Sequence, residues 1–133
     1  MNAVVVDTDV ASFIFKNHST AALYDRELVG RVPLISFMTT AEVERWALLR
    51  RWSDQRTDWL RLYLKRFTLV PSSPDLCIKW AEVMVTAQAV GRRIESADAW
   101  IAATALLYGA PLITHNRKDF LGIPGLHLIS HAE

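Results

Sequence analysis

Apolar residues fall along this chain in two alternating patterns. Short runs with little polar interruption are Ala3 to Val6, Pro33 to Phe37, Phe67 to Val70, Leu112 to Thr114 and His127 to Ile129. An unbroken run bounded by turn residues reads as a strand buried on both faces. Between these runs the apolar positions recur at helical spacing. Asp7 or Thr8 opens a helix to Ile14 or Phe15, and Ser19-Thr20 caps a second to about Leu28. Thr39 begins a helix to about Arg51, with Glu42 three residues on as a capping box. Ser53 caps a helix to about Arg66. Ser73-Pro74 starts one that Gly91 stops, and Ser96 to Tyr108 forms another closed by Gly109.

Strands alternating with helices predict an α/β fold: a parallel sheet of about five strands with helices on both faces, in one domain over residues 1–133. In open sheets of this kind, function collects outside the carboxyl ends of the strands. Asp7, Glu42 and Asp119 each follow a strand end, so topology alone places them on one rim. Asp98 reaches the same rim only if its helix starts there before descending into Leu112.

Each acid has a structural reading. Asp7 can cap the first helix, Glu42 can complete the capping box, Asp98 can face the helix dipole and Asp119 can form an Asx turn. Four caps need not share one rim, however. A cluster of carboxylates repels itself and calls for a divalent cation, and oxygen donors without Cys or paired His select Mg²⁺ or Mn²⁺. Such ions activate water and stabilise an alkoxide leaving group on phosphorus.

Composition and charge narrow the picture. The chain has 133 residues, 51% of them hydrophobic and 22% charged, which is globular rather than disordered. No apolar run is long enough to span a membrane. The first residues lack a basic segment and carry Asp7 and Asp9, so no secretory leader is expected and the cytoplasm is the expected location. The single Cys77 cannot form an internal disulfide, and its helical spacing predicts a buried thiol. The net charge of +1 hides a split. From Arg45 to Arg66 seven bases face two acids, an excess of five, which leaves the remainder at −4. A basic segment attached to an acidic centre suits a polyanion, although a solvated helical face explains the same residues. Arg50 and Arg51 belong to that segment, while Arg92, Arg93, Arg117 and Lys118 lie nearer the acid rim, where they suit a substrate phosphate. Trp46, Trp59, Trp80 and Trp100 fall at helical spacing and read as core or dimer packing. Trp52 is the one candidate for stacking on a base. His115 lies within the last acidic motif, and the four histidines do not form a metal set.

Val5-Val6-Asp7-Thr8-Asp9-Val10, Thr39-Thr40-Ala41-Glu42-Val43, Ala97 to Ala105 and Thr114-His115-Asn116-Arg117-Lys118-Asp119-Phe120 resemble the ordered motifs of PIN-domain ribonucleases, above all VapC-type toxins of toxin–antitoxin pairs. The resemblance covers essentially the whole chain. It implies that Asp7, Glu42, Asp98 and Asp119 hold Mg²⁺ or Mn²⁺ for endonucleolytic RNA cleavage. It also implies that Thr8, Thr114 and Asn116 support the site, that an antitoxin binds the toxin, and that the chain forms a homodimer. Asp9 departs from the small polar residue common at its position, and is either an outer-shell ligand or a first-turn acid.

Two other readings compete. Asp7-Thr8-Asp9-Val10 after an apolar strand also resembles the nucleophile loop of haloacid-dehalogenase-like phosphatases, but Leu112-Ile113-Thr114-His115 lacks the lysine and paired acid that family needs. A non-catalytic module would keep the fold only, and four retained acids argue against it.

Overall fold

The computed structural model describes residues 2–132. Five strands alternate with six helices: β1 (Ala3–Val6), α1 (Thr8–Phe15), α2 (Ala21–Leu28), β2 (Val32–Ser36), α3 (Phe37–Leu49), α4 (Asp54–Leu64), β3 (Thr68–Val70), α5 (Pro74–Ala89), α6 (Ser96–Tyr108), β4 (Leu112–Ile113) and β5 (Leu128–Ile129). A 3-10 turn spans Arg117–Asp119. All pairings are parallel, in the order β3-β2-β1-β4-β5.

The centre of the sheet, β1 and β4, is buried on both sides because these strands carry apolar side chains at successive positions. Thr68 and Leu69, by contrast, leave the β3 edge exposed. Val4 and Val6 point into a cluster with Ile35 of β2 and with Val10, Tyr24, Val43, Leu60 and Tyr63, contributed by α1 to α4. Ala3 and Val5 point the other way, onto Ile101, Ala102 and Ala105 of α6. Val4, Val5 and Val6 are fully buried, and each such side chain stabilises the fold by about 1.5–3 kcal/mol relative to exposure. Small residues on α6 let it lie close against the sheet. α5 forms the outer layer, where Trp80 stacks on Trp100 with centroids 4.9 Å apart.

The predicted parallel α/β sheet is present, and three local expectations are corrected. The helix expected from Thr39 begins at Phe37, because Ser36 is extended and its Oγ accepts the Met38 N–H at 3.0 Å. Thr39 is therefore inside the helix rather than capping it, and its hydroxyl is free for another partner. Cys77 is exposed rather than buried. The buried positions of α5 are Leu76, Val83 and Ala87, and Cys77 is rotated about 100° from that stripe. Of the core and dimer packing expected of Trp59, the core is ruled out, since the residue is 61% exposed and belongs to neither core cluster. Trp52 packs on Phe15 with centroids 6.0 Å apart and carries Arg56 over its ring, so its faces are engaged within the fold. Among the described residues no helix is long and apolar enough to cross a membrane.

Candidate active site

The carboxyl ends of β1 and β4 lie side by side, and the site grows from that junction. The Asp7 N–H bonds the Ile113 carbonyl at 2.9 Å, which fixes where β1 ends. Asp7 then caps α1 through the Thr8 N–H, 2.7 Å from Oδ1. Its other oxygen accepts the Thr114 hydroxyl at 2.7 Å. The residue is only 5% exposed. The structural reading of Asp7 as a cap is thus correct, and it leaves lone pairs on both oxygens for a further partner.

Thr8, Thr39 and Glu42 form one relay. The Thr8 hydroxyl donates to Glu42 Oε1 at 2.9 Å and lies 2.9 Å from Thr39 Oγ1. A hydroxyl has one proton to give, so Thr39 donates to Thr8 and Thr8 donates to Glu42. Thr39 and Glu42 stand three apart on α3 and share the face turned to α1.

Asp9, in the first turn of α1, is tied across the rim. Oδ1 accepts the Val10 N–H at 2.7 Å, while Oδ2 accepts the His115 N–H and the Asn116 amide, both at 3.1 Å. The Asn116 N–H in turn bonds Thr114 Oγ1 at 3.0 Å. Asp9 therefore shapes the turn after β4 that carries Asp119 out into solvent.

The electrostatics join these groups. Burial pushes the Asp7 carboxyl well above its usual range, and neighbouring Asp9 adds to the rise. Hydrogen bonds from Thr114 and Thr8 oppose it. Burial also raises Asp9. Asp98 is pushed up to about 6, first by burial and then by Asp119, Glu42, Glu95 and Asp9. The first turn of α6 thus stands within the field of the other acids, the placement that topology alone left open. None of the ion pairs among the described residues involves any of these carboxylates.

An all-oxygen set carrying uncompensated negative charge suits a hard divalent cation. Among the described residues no three acidic or histidine side chains stand close enough to hold one ion together as they are arranged. Like charges held apart in this way close up only when a cation offsets their repulsion.

The basic residues divide by setting. Arg92 is half-buried and gives Nη2 to the Lys118 carbonyl at 2.8 Å, so it holds the turn that carries Asp119. Arg93, Arg117 and Lys118 are exposed, as are Arg50 and Arg51. Arg50 lies over Trp46. Arg61 is engaged by Glu44, at 2.7 Å, and by Asp58, which draws on part of the positive excess of the α3–α4 pair.

Two contributors escape a reading of the motifs alone. Glu95, the residue before α6, adds a further carboxylate beside Asp98; its spacing three residues ahead of Asp98 at a helix start is the available signal. Tyr24, fully buried on α2, bonds His115 Nδ1 through its hydroxyl and accepts the His131 N–H at 3.1 Å. Nothing near Tyr24 in the sequence points to this, since its partners lie 91 and 107 residues away. His115 is half-buried and packed edge-on against Phe13 and Tyr24.

A parallel five-stranded sheet with acids gathered at its carboxyl rim defines the class, and the PIN domain family model matches residues 4–126. The chain belongs to the PIN domain family. It is similar to Ribonuclease VapC1 of Haemophilus influenzae (strain R2866), with 29% identity over 124 residues that cover 92% of each protein. The structure of VapBC-1 from nontypeable Haemophilus influenzae superposes with a TM-score of 0.82 at 28% identity, covering 96% of this chain and 97% of that one. VapBC2 from Rickettsia felis, solved bound to a DNA fragment from its promoter, shares the fold at a TM-score of 0.86 and 23% identity, over 96% and 98% of the two chains. Family membership replaces the haloacid-dehalogenase alternative.

Proposed function

We propose that this chain is a Mg²⁺- or Mn²⁺-dependent endoribonuclease acting as the toxin of a toxin–antitoxin pair. The observation that carries the reading is the unbalanced rim: Asp98 is raised to about 6 by burial and by Asp119, Glu42, Glu95 and Asp9, and no described cation pairs with it. The likeness to Ribonuclease VapC1 supplies the substrate class.

Asp7, Glu42, Asp98 and Asp119 are the residues that would hold the metal. When bound, the ion supplies an activated water and stabilises charge on the leaving oxygen. The chain's own groups orient that site. Thr114 and the Thr8 N–H fix the plane of the Asp7 carboxylate. The Thr39–Thr8 relay aims Glu42, and Asp9 with Asn116 sets the turn before Asp119. Arg93, Arg117 and Lys118 are exposed near that turn and suit contact with RNA phosphates, which gives affinity without sequence choice.

Partner chains also fit the surface. Leu48 and Leu49 on α3, Trp59 and Leu62 on α4, and Ile78 and Val85 on α5 are large apolar side chains standing in solvent. An antitoxin and a second copy of the chain are the proposed occupants, in keeping with the VapBC complexes that share the fold.

The test is RNA cleavage by the purified protein, with and without Mn²⁺, beside Asp7→Asn. Metal-dependent cleavage lost in the variant is expected. Cleavage that persists in excess EDTA overturns the metal mechanism, and turnover of a small phosphate ester with no RNA cut overturns the nuclease.

A further inference from the structure

Beside Asp119 a cleft of about 340 Å³ opens between α5, residues 92–94 and the loop at residues 119–125. Its size lies within the range of about 300–1,000 Å³ typical of small-ligand sites. Val83, Ala87, Ile94 and Ile123 form apolar walls, with Leu106 of α6 behind them. Asp119 belongs both to this lining and to the acids that raise Asp98, so the cleft and the acid rim share a wall.

The polar groups in the lining form a selective set. Lys79 and Glu82 stand 3.7 Å apart on one face of α5, a donor beside an acceptor. Arg92 lines the same cleft; it gives Nη2 to the Lys118 carbonyl, which leaves its other guanidinium donors for a ligand. No aromatic residue lines the cleft, so a flat ligand there is held between aliphatic walls and recognised at its edge rather than by stacking.

We propose that this cleft is a nucleobase subsite that takes a guanine flanking the scissile phosphate of the RNA substrate. The proposal rests on the nuclease reading and gives it a source of specificity. Single-stranded RNA is read by bases turned out into pockets and bonded along their edges. Guanine offers O6 and N7 as paired acceptors, the edge that Arg and Lys recognise. Its N1–H and N2–H₂ donors suit the Glu82 carboxylate. Cytosine also pairs two acceptors, N3 and O2, but it has no ring N–H beside its amino group and so lacks the paired donors that guanine gives Glu82.

The probe is guanosine 5′-monophosphate, titrated without divalent metal into the ¹⁵N-labelled full chain and followed by amide NMR. Saturable shifts at Val83, Ala87, Ile94 and Ile123 are expected at roughly millimolar affinity, with cytidine 5′-monophosphate weaker by about tenfold or more. Thr86→Trp, at an exposed position on the edge of the cleft, should abolish those shifts while the rest of the spectrum stays folded. The proposal is overturned if the spectrum is unmoved, if shifts occur away from the cleft, or if the two nucleotides bind alike. It is also overturned if the cleft amides respond only to protein concentration, which marks the cleft as covered by a second copy. Guanosine binding in the cleft alongside failure to cut RNA separates the two readings: the guanine site stands, and its place beside a scissile phosphate falls with the nuclease.

Discussion

Thr114 Oγ1 and Asp7 Oδ2 lie 2.7 Å apart although 107 residues separate them in sequence. The bond joins the residue after β4 to the residue after β1, in the interior, and it opposes the rise of the Asp7 carboxyl. Thr114→Val removes that donor and also the acceptor for the Asn116 N–H. Loss of a buried hydrogen bond of this type costs about 1–3 kcal/mol. Denaturant unfolding should show that loss at pH 8 and a smaller one at lower pH, because the Asp7 carboxyl, already raised by burial, escapes the cost when it takes up a proton. Equal losses at both pH values would show that Asp7 is not the group affected.

The acid rim sets an unusual pH dependence. Asp98 holds its proton up to about pH 6 in the folded state, and Asp7 and Asp9 are raised as well. An unfolded aspartate titrates near about 3.9. Between those values the folded chain binds more protons than the unfolded one, so its stability falls as pH rises through the window. Melting in EDTA should therefore give a higher Tm at pH 5 than at pH 8. Adding Mn²⁺ at pH 8 should recover stability, because a ligand that binds only the folded state stabilises it. A metal-free Tm that climbs steadily from pH 5 to pH 8 is the contrary result.

Thr8 acts on Glu42 through its hydroxyl. Thr8→Val keeps the shape of the side chain and breaks the relay from Thr39. Groups that orient a metal's ligands are worth about 10–100-fold in metal affinity. Titration with Mn²⁺ should show a loss of that size, with RNA cleavage partly restored by raising the metal concentration. Unchanged Mn²⁺ affinity would assign Thr8 to packing alone.

Arg117 is exposed in the 3-10 turn beside Asp119. If it meets a substrate phosphate, Arg117→Ala should weaken RNA binding to an uncleaving Asp7→Asn background. It should also flatten the salt dependence by about 0.7 in log–log slope, the value for one phosphate contact on a single strand. A weaker affinity with the slope unchanged would point to a contact other than phosphate.

Arg51 ends α3 in the left-handed region, with φ 53°. Its N–H bonds the Leu48 carbonyl and the Trp52 N–H bonds the Ala47 carbonyl, a closing turn that ordinarily uses glycine. Arg51→Gly should raise stability by about 0.5–1 kcal/mol in chemical unfolding. A decrease would mean that the arginine side chain makes a compensating contact.

Much of this protein is legible from its residues taken in order. The unbroken Ala3 to Val6 run announces a strand buried on both faces, and Ser73-Pro74 and Gly109 mark helix ends that the structure keeps. The start of α3 was less legible. Ser36 and Thr39 are both good caps, and the choice depends on β2 stopping at Ser36, a matter of sheet register. Cys77 misled for a related reason: helical period tells how residues group on a face, and packing decides which face is covered.

The sequence by itself determined the alternation of strands and helices, the two-sided burial of the central strands β1 and β4, and the placing of Asp7, Glu42 and Asp119 after strand ends. These follow from local chemistry, the match between apolar spacing and backbone period. Only the tertiary structure decided that Asp98 and Glu95 share the field of those acids. It alone also revealed that Tyr24 steadies His115 and that Arg92 holds the turn before Asp119 beside a cleft. Those relationships join segments far apart along the chain, and no local pattern encodes a distance across a fold.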